Sequence, residues 1–285
     1  MRYQVLFCVV FLSSSALAQW EAGNWLSDVI VKAPSRVLTA NVGYGYAAPN
    51  REDIVANFSR GGALNAMLGV KRFLESDYDA SQLDYAHIFL FVSLSRAAEG
   101  RLRDTLARRL TPIGFSNFRF GFGARDGVGY RFQKYAVLTP YVSSGQACTT
   151  NRWSWDTVFV GDAARLDRFA GGFRYATFSE AGVMIDVGTR FAIDFGFETM
   201  LVQPRYVFLQ SFSNLILQQA AHILMRKAID VIFPNSWIPV AGFALKGAFN
   251  FWLYDQKSRQ ANFPFPSEAG LQILTFRVGA SFSIE

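Results

Sequence analysis

Histidine and cysteine are scarce, with two of each in 285 residues. Two histidines do not supply a multi-histidine metal site, and two cysteines exclude a disulfide-stapled scaffold. Charged residues are only 18% of the chain. No stretch is both long and apolar enough to be an obvious membrane helix. The sequence contains no P-loop, GxSxG, HExxH or CxxC. Gly121-Phe122-Gly123 and similar pairs lie inside strand-like stretches with no helix after them, which removes a dinucleotide reading. No cofactor or metal is therefore implied. What the chain does have is apolar and aromatic mass. Hydrophobic residues reach 51% and aromatics 16%, with 28 Phe, 11 Tyr and 6 Trp. Chains that stay disordered or form collagen lack that mass, so both classes are excluded.

Residues 1–18 read as a secretory signal peptide. Arg2 gives a short positive start, residues 5–12 form an apolar run, and Ala16-Leu17-Ala18 is a small-residue cleavage signal. Cleavage after Ala18 removes Cys8 and leaves Cys148 alone. It also removes Arg2, so the mature chain carries 27 Lys+Arg against 22 Asp+Glu, a net +5. That mild excess suits an anionic lipid surface. It lacks the basic cluster and base-stacking pattern of a nucleic-acid binder, so nucleic acid is not an expected partner. The remaining residues, 19–285, read as one domain.

Its recurring pattern has a period of two. Over 183–199 the odd positions run Val, Ile, Val, Thr, Phe, Ile, Phe, Phe and Thr, while the even positions hold Asp186, Arg190, Asp194, Glu198 and two glycines. Such alternation places the two sets on opposite faces of a sheet. At the C-terminus Leu274, Phe276, Val278, Ala280, Phe282 and Ile284 alternate with Thr275, Arg277, Gly279, Ser281 and Ser283. Phe118, Phe120, Phe122 and Ala124 alternate with Asn117, Arg119, Gly121, Gly123 and Arg125, and Asp126-Gly127 then marks a turn. A three-residue loop over 126–128 would pair Phe122 with Phe132. Further strands are expected at 38–47, 64–74, 85–95, 153–160, 169–178 and 205–210. A strand within 240–254 brings the total to about ten, in a range of eight to twelve, although Pro239 could equally open a helix there. Two segments read as amphipathic helices, 99–110 and 213–232. Ser213 caps the second and Pro234 stops it. Its polar arc, with His222, Arg226 and Asp230, places it at a barrel end rather than across lipid.

The face opposite the phenylalanine rows is small or charged. A soluble β-sandwich buries its apolar faces and shows a polar exterior. A transmembrane barrel instead turns aromatic rows to lipid and packs small or paired polar groups into its lumen. On its signal peptide, alternating strands and terminal strand the chain resembles bacterial outer-membrane β-barrels. The resemblance implies an all-β antiparallel barrel in the outer membrane. It also implies membrane lipid as a partner and an envelope protein as a possible second one, with the oligomeric state open. About ten strands enclose little space, so a wide porin is not expected. The role expected is non-enzymatic: a small-solute channel, or a structural and partner-binding barrel.

The candidate lumen-lining residues are Arg119, Arg131, Asp186, Arg190, Asp194, Glu198, Lys246 and Arg277. Residues four apart on a strand point the same way about 13 Å apart, so the acids need partners from neighbouring strands. No catalytic residue is assigned. His87 shares a face with Phe89 and Phe91 and is expected at an interface or a solvated strand end. An envelope lipid-modifying hydrolase or acyltransferase is the rival reading, and a secreted soluble protein binding an apolar ligand is a third.

Overall fold

The computed structural model describes residues 36–75, 82–97, 113–133, 136–155, 160–188, 190–204, 238–261, 263, 265 and 267–284. Eight strands form: β1 Arg36–Asn50, β2 Gly61–Glu75, β3 Gln82–Ala97, β4 Gly114–Gln133, β5 Ala136–Ser154, β6 Arg174–Val187, β7 Phe191–Val202 and β8 Leu271–Ile284. Each pairs antiparallel with the next, and β8 pairs with β1 to close a barrel. Two helices are described, α1 Val160–Asp167 and α2 Ile238–Arg259.

The strand register fixes the geometry of closure. Thr39 pairs with Gly69, then Phe89, Gly123, Gly145, Phe178, Met200, Ile273 and finally Pro49. One circuit thus returns to β1 ten residues further on, from 39 to 49, which is the shear of the barrel. Eight strands with that shear tilt by about 40° and give a backbone radius of about 8 Å, a lumen that side chains can fill.

The strands stop and turn where the sequence allows. Gly188, at φ +71°, opens a three-residue turn after Val187, and Phe191 resumes opposite it. β2 ends and β3 begins, β4 ends and β5 begins, and β6 ends and β7 begins at the end of the barrel where β1 begins and β8 ends; 6, 2 and 3 residues of sequence separate these pairs. The strand ends at the other end of the barrel are separated by longer stretches of sequence, 51–60, 98–113, 155–173 and 203–270.

Several expectations are corrected. Among the described residues the barrel has eight strands, the lower bound of the expected eight to twelve rather than about ten. Residues 240–254 lie in α2 rather than in a strand. There is no hairpin at 126–128, because β4 runs straight through and Phe122 pairs with Leu90 and Gln146 instead of Phe132. The strand expected at 153–160 ends at Ser154, and that at 169–178 begins only at Arg174. Residues 1–18, 99–110, 205–210 and 213–232 lie outside the described residues.

The phase of the alternation holds. On β8, Phe276, Val278, Phe282 and Ile284 are exposed, while Thr275, Arg277, Ser281 and Ser283 are buried. β1, β2 and β7 keep the same phase, with their apolar rows exposed, and β3 keeps it too but turns Tyr85, Phe89 and Phe91 inward beside His87, Ser93 and Ser95. Facing glycines thin the wall where rings need room. A Cβ on Gly145 would lie 2.5 Å from the Phe178 ring, and one on Gly123 would lie 2.7 Å from the Phe89 ring.

Candidate functional site

Inward-facing side chains fill the lumen in layers. Near the short turns, Lys71 from β2 donates to Asp186 of β6 at 2.7 Å. His87 lies alongside, its Nε2 3.0 Å from the Thr39 hydroxyl and its ring 5.3 Å from that of Phe89. It is buried in the lumen, not at an interface or a solvated strand end.

The middle layer holds four charges and a phenol. Arg125 of β4 reaches Asp194 of β7 at 3.2 Å and Glu180 of β6 at 3.5 Å. Arg277 of β8 donates to Asp194 at 3.1 Å and through Nε to Glu180 at 3.0 Å. The Tyr141 hydroxyl stands 2.8 Å from Glu180 and also bonds Asp194. Asn41 adds a contact to Asp194 at 3.4 Å. The Arg125 guanidinium lies between the Phe89 and Tyr141 rings, 5.0 and 4.6 Å from their centroids. Two arginines and two carboxylates therefore neutralise one another with no accessible surface between them.

Above this layer Phe89, Phe91 and Phe178 pack as a cluster, with Phe91 edge-on to Phe178 at 5.1 Å. Arg119 pairs with Glu198 and lies over the Phe91 ring. Asn117 donates to Asn151 at 2.7 Å, and Asn151 donates to the Phe169 carbonyl at 3.2 Å.

A cap closes the long-loop end. The Asp162 carboxylate, buried at the start of α1, accepts from the backbone N–H of Val55 and Ala56 at 3.1 and 3.2 Å. It thereby ties the β1–β2 loop to the β5–β6 connection. Ile54, Ala56, Ile113 and Leu166 pack beneath this tie. Arg51 pairs with Asp53 and stacks over Phe169 at 4.7 Å. Partial burial raises the Asp53 carboxyl, but the hydrogen bond and charge of Arg51, with Arg165 beyond, outweigh it and hold the group below its ordinary range.

Five of the eight residues singled out in the sequence meet in the lumen: Arg119, Asp186, Asp194, Glu198 and Arg277. Arg131 and Arg190 are exposed at the short-turn end, Arg131 near the end of β4 and Arg190 in the turn before β7. They do not line the lumen. Lys246 falls in α2, on no strand at all. The partners that sequence reasoning missed are Lys71, Arg125, Tyr141 and Glu180. Each carries the inward phase of its strand, so strand parity was the signal that could have found them.

No protein-family model and no curated protein matches the chain. Among solved structures it is similar to Neisserial surface protein A, at 7% identity and a TM-score of 0.39, covering 87% of this chain and 97% of that one. It is also similar to Ail, the attachment invasion locus protein of Yersinia pestis, at 10% identity and a TM-score of 0.31, covering 87% of this chain and 98% of that one.

Proposed function

We propose that this protein is an outer-membrane β-barrel that acts as a sealed anchor and presents its structured cap to a partner outside the cell. The outward rows support membrane residence. On β8 the apolar positions run from Leu274 to Ile284, about 25 Å at the strand tilt, the height of an outer-membrane barrel's apolar band. On β3 the outward charges Asp84 and Arg96 bracket Ile88, Leu90, Val92 and Leu94. Strands joined through few residues on the side where β1 begins and β8 ends, and through many on the opposite side, fit the arrangement in which long loops face outward.

The observation that carries the sealed reading is the middle layer of the lumen. Arg125, Arg277, Glu180, Asp194 and Tyr141 are all fully or almost fully buried, and each cation is paired with both carboxylates. An ion passing through would have to break these pairs in a low-dielectric site. The cap supplies what a binding role needs: backbone held by Asp162, with Glu52, Asp53, Val55 and Arg165 exposed around it. The test is electrical. Purified protein inserted into planar bilayers should give no conductance steps above the protein-free baseline. Regular ion-selective steps would return the channel reading to first place.

A further inference from the structure

One ladder row crosses the outer wall from apolar and bare to polar and covered. It runs Leu68, Leu90, Phe122, Gln146, Thr177, Leu201, each paired with the next. Leu68 and Leu90 are 52% and 66% exposed. Phe122 falls to 8%, and Gln146 and Leu201 to 1%. Beside the aromatic Phe120, Phe122 and Tyr175, this outer face also carries polar residues around Gln146: Ser144 and Cys148 on β5, Ser179 on β6 and Thr199 on β7. They stand at the height where the opposite side of the barrel shows Tyr44, Leu64 and Phe276. A wall that met lipid at this height would not carry a glutamine amide and four hydroxyl or thiol groups.

α2 is the described helix that packs against β4, β5, β6 and β7. It takes no part in the packed clusters inside the lumen or beneath the cap. Its outer face is apolar. Leu245, Ala248, Phe251 and Trp252 are exposed, Phe251 at 75%, while the buried positions Asn250, Leu253 and Lys257, at i, i+3 and i+7, are mixed. A helix beside a protein in water hides its apolar residues and shows polar ones. An apolar outer face suits a helix that meets hydrocarbon. No described helix is long and apolar enough to cross a membrane, and α2 lies across four strands rather than along one.

We infer that α2 is a lipid-immersed collar: it lies in the outer leaflet against β4–β7, turns Leu245, Phe251 and Trp252 to acyl chains, and screens the polar wall around Gln146 from them. The inference rests on the outer-membrane reading above. Its partner is bilayer hydrocarbon, continuous with the apolar belt of β8, β1, β2 and β3.

The experiment uses the whole protein in dioleoylphosphatidylcholine vesicles containing a phospholipid with a photoactivated diazirine in its acyl chain. Adducts are mapped by mass spectrometry after irradiation. Leu90 to Leu94 of β3 should be labelled. α2 around Leu245 and Phe251 should be labelled at comparable yield, and Ser144 to Cys148 should show a loss of label relative to β3. Label on β3 with none on α2 would overturn the collar while leaving the membrane reading intact. Label on Ser144 to Cys148 equal to that on β3 would overturn the screening. Absence of label from β3 as well would remove the membrane reading, and the collar with it.

Discussion

Gln146 shows how much one side chain can report. Its amide faces outward from β5 and is 1% exposed, and neither its nitrogen nor its oxygen has a hydrogen-bond partner. Burying an amide without partners costs about 1–3 kcal/mol in protein mutational data. Leucine fills nearly the same volume and removes the polar atoms. Gln146→Leu should therefore raise stability by about 1–3 kcal/mol, read from urea unfolding in lipid vesicles. A loss of stability would mean that the amide holds a partner in the membrane. The same residue explains why sequence reasoning passed over β5. Strands in a lipid-facing wall announce themselves by a row of Phe, Val and Leu at every second position. The outward row of β5 reads Leu138, Pro140, Val142, Ser144, Gln146 and Cys148. Its apolar signal fades where the wall is covered.

At the scale of elements, parity proved more durable than turn placement. The alternation over 183–199 reads as one long strand, yet a three-residue turn at 188–190 splits it into β6 and β7. Such a turn leaves the odd and even sets in phase, with Val187 and Phe191 both outward, so the pattern alone cannot reveal it. The same property made a hairpin at 126–128 look sound when β4 in fact continues. Ending that strand early set Arg125 beside a turn and hid its place in the lumen. Glu180 was hidden in the same way, two residues past the expected end of its strand. α2 misled for a different reason. With apolar side chains on its outer face and Leu253 on its inner one, it lacks the polar stripe by which a 3.6-residue period is recognised. The belt itself gives a sharp expectation. Leu90 is outward, bare and near mid-height on β3. Leu90→Arg should destabilise the barrel by about 2–4 kcal/mol in vesicles, the cost of a cation on a lipid face near the bilayer centre. A change within error would show that this face does not meet hydrocarbon.

For the whole molecule, the charges buried in the lumen balance. Lys71, Arg119, Arg125 and Arg277 stand against Asp186, Glu198, Glu180 and Asp194, four cations against four anions, each within reach of an opposite charge. A barrel of this radius must fill its interior with something, and the Phe89, Phe91 and Phe178 cluster fills only part of it. Charge pairs fill the space, but desolvation cancels much of their attraction, so their worth lies in mutual compensation. Arg119 and Glu198 separate these effects, because both are buried and Arg119 lies over the Phe91 ring. Glu198→Leu alone leaves Arg119 as an uncompensated buried cation and should cost about 3–5 kcal/mol. Arg119→Met together with Glu198→Leu removes both charges at similar volume and should return stability to within about 1 kcal/mol of the parent, or raise it. Both proteins should remain electrically silent in planar bilayers, since the middle layer around Asp194 is untouched. The measurement is the double-mutant cycle of unfolding free energies in lipid vesicles. Costs that simply add, with the double variant as impaired as the sum of the singles, would show that the pair does more than fill the lumen.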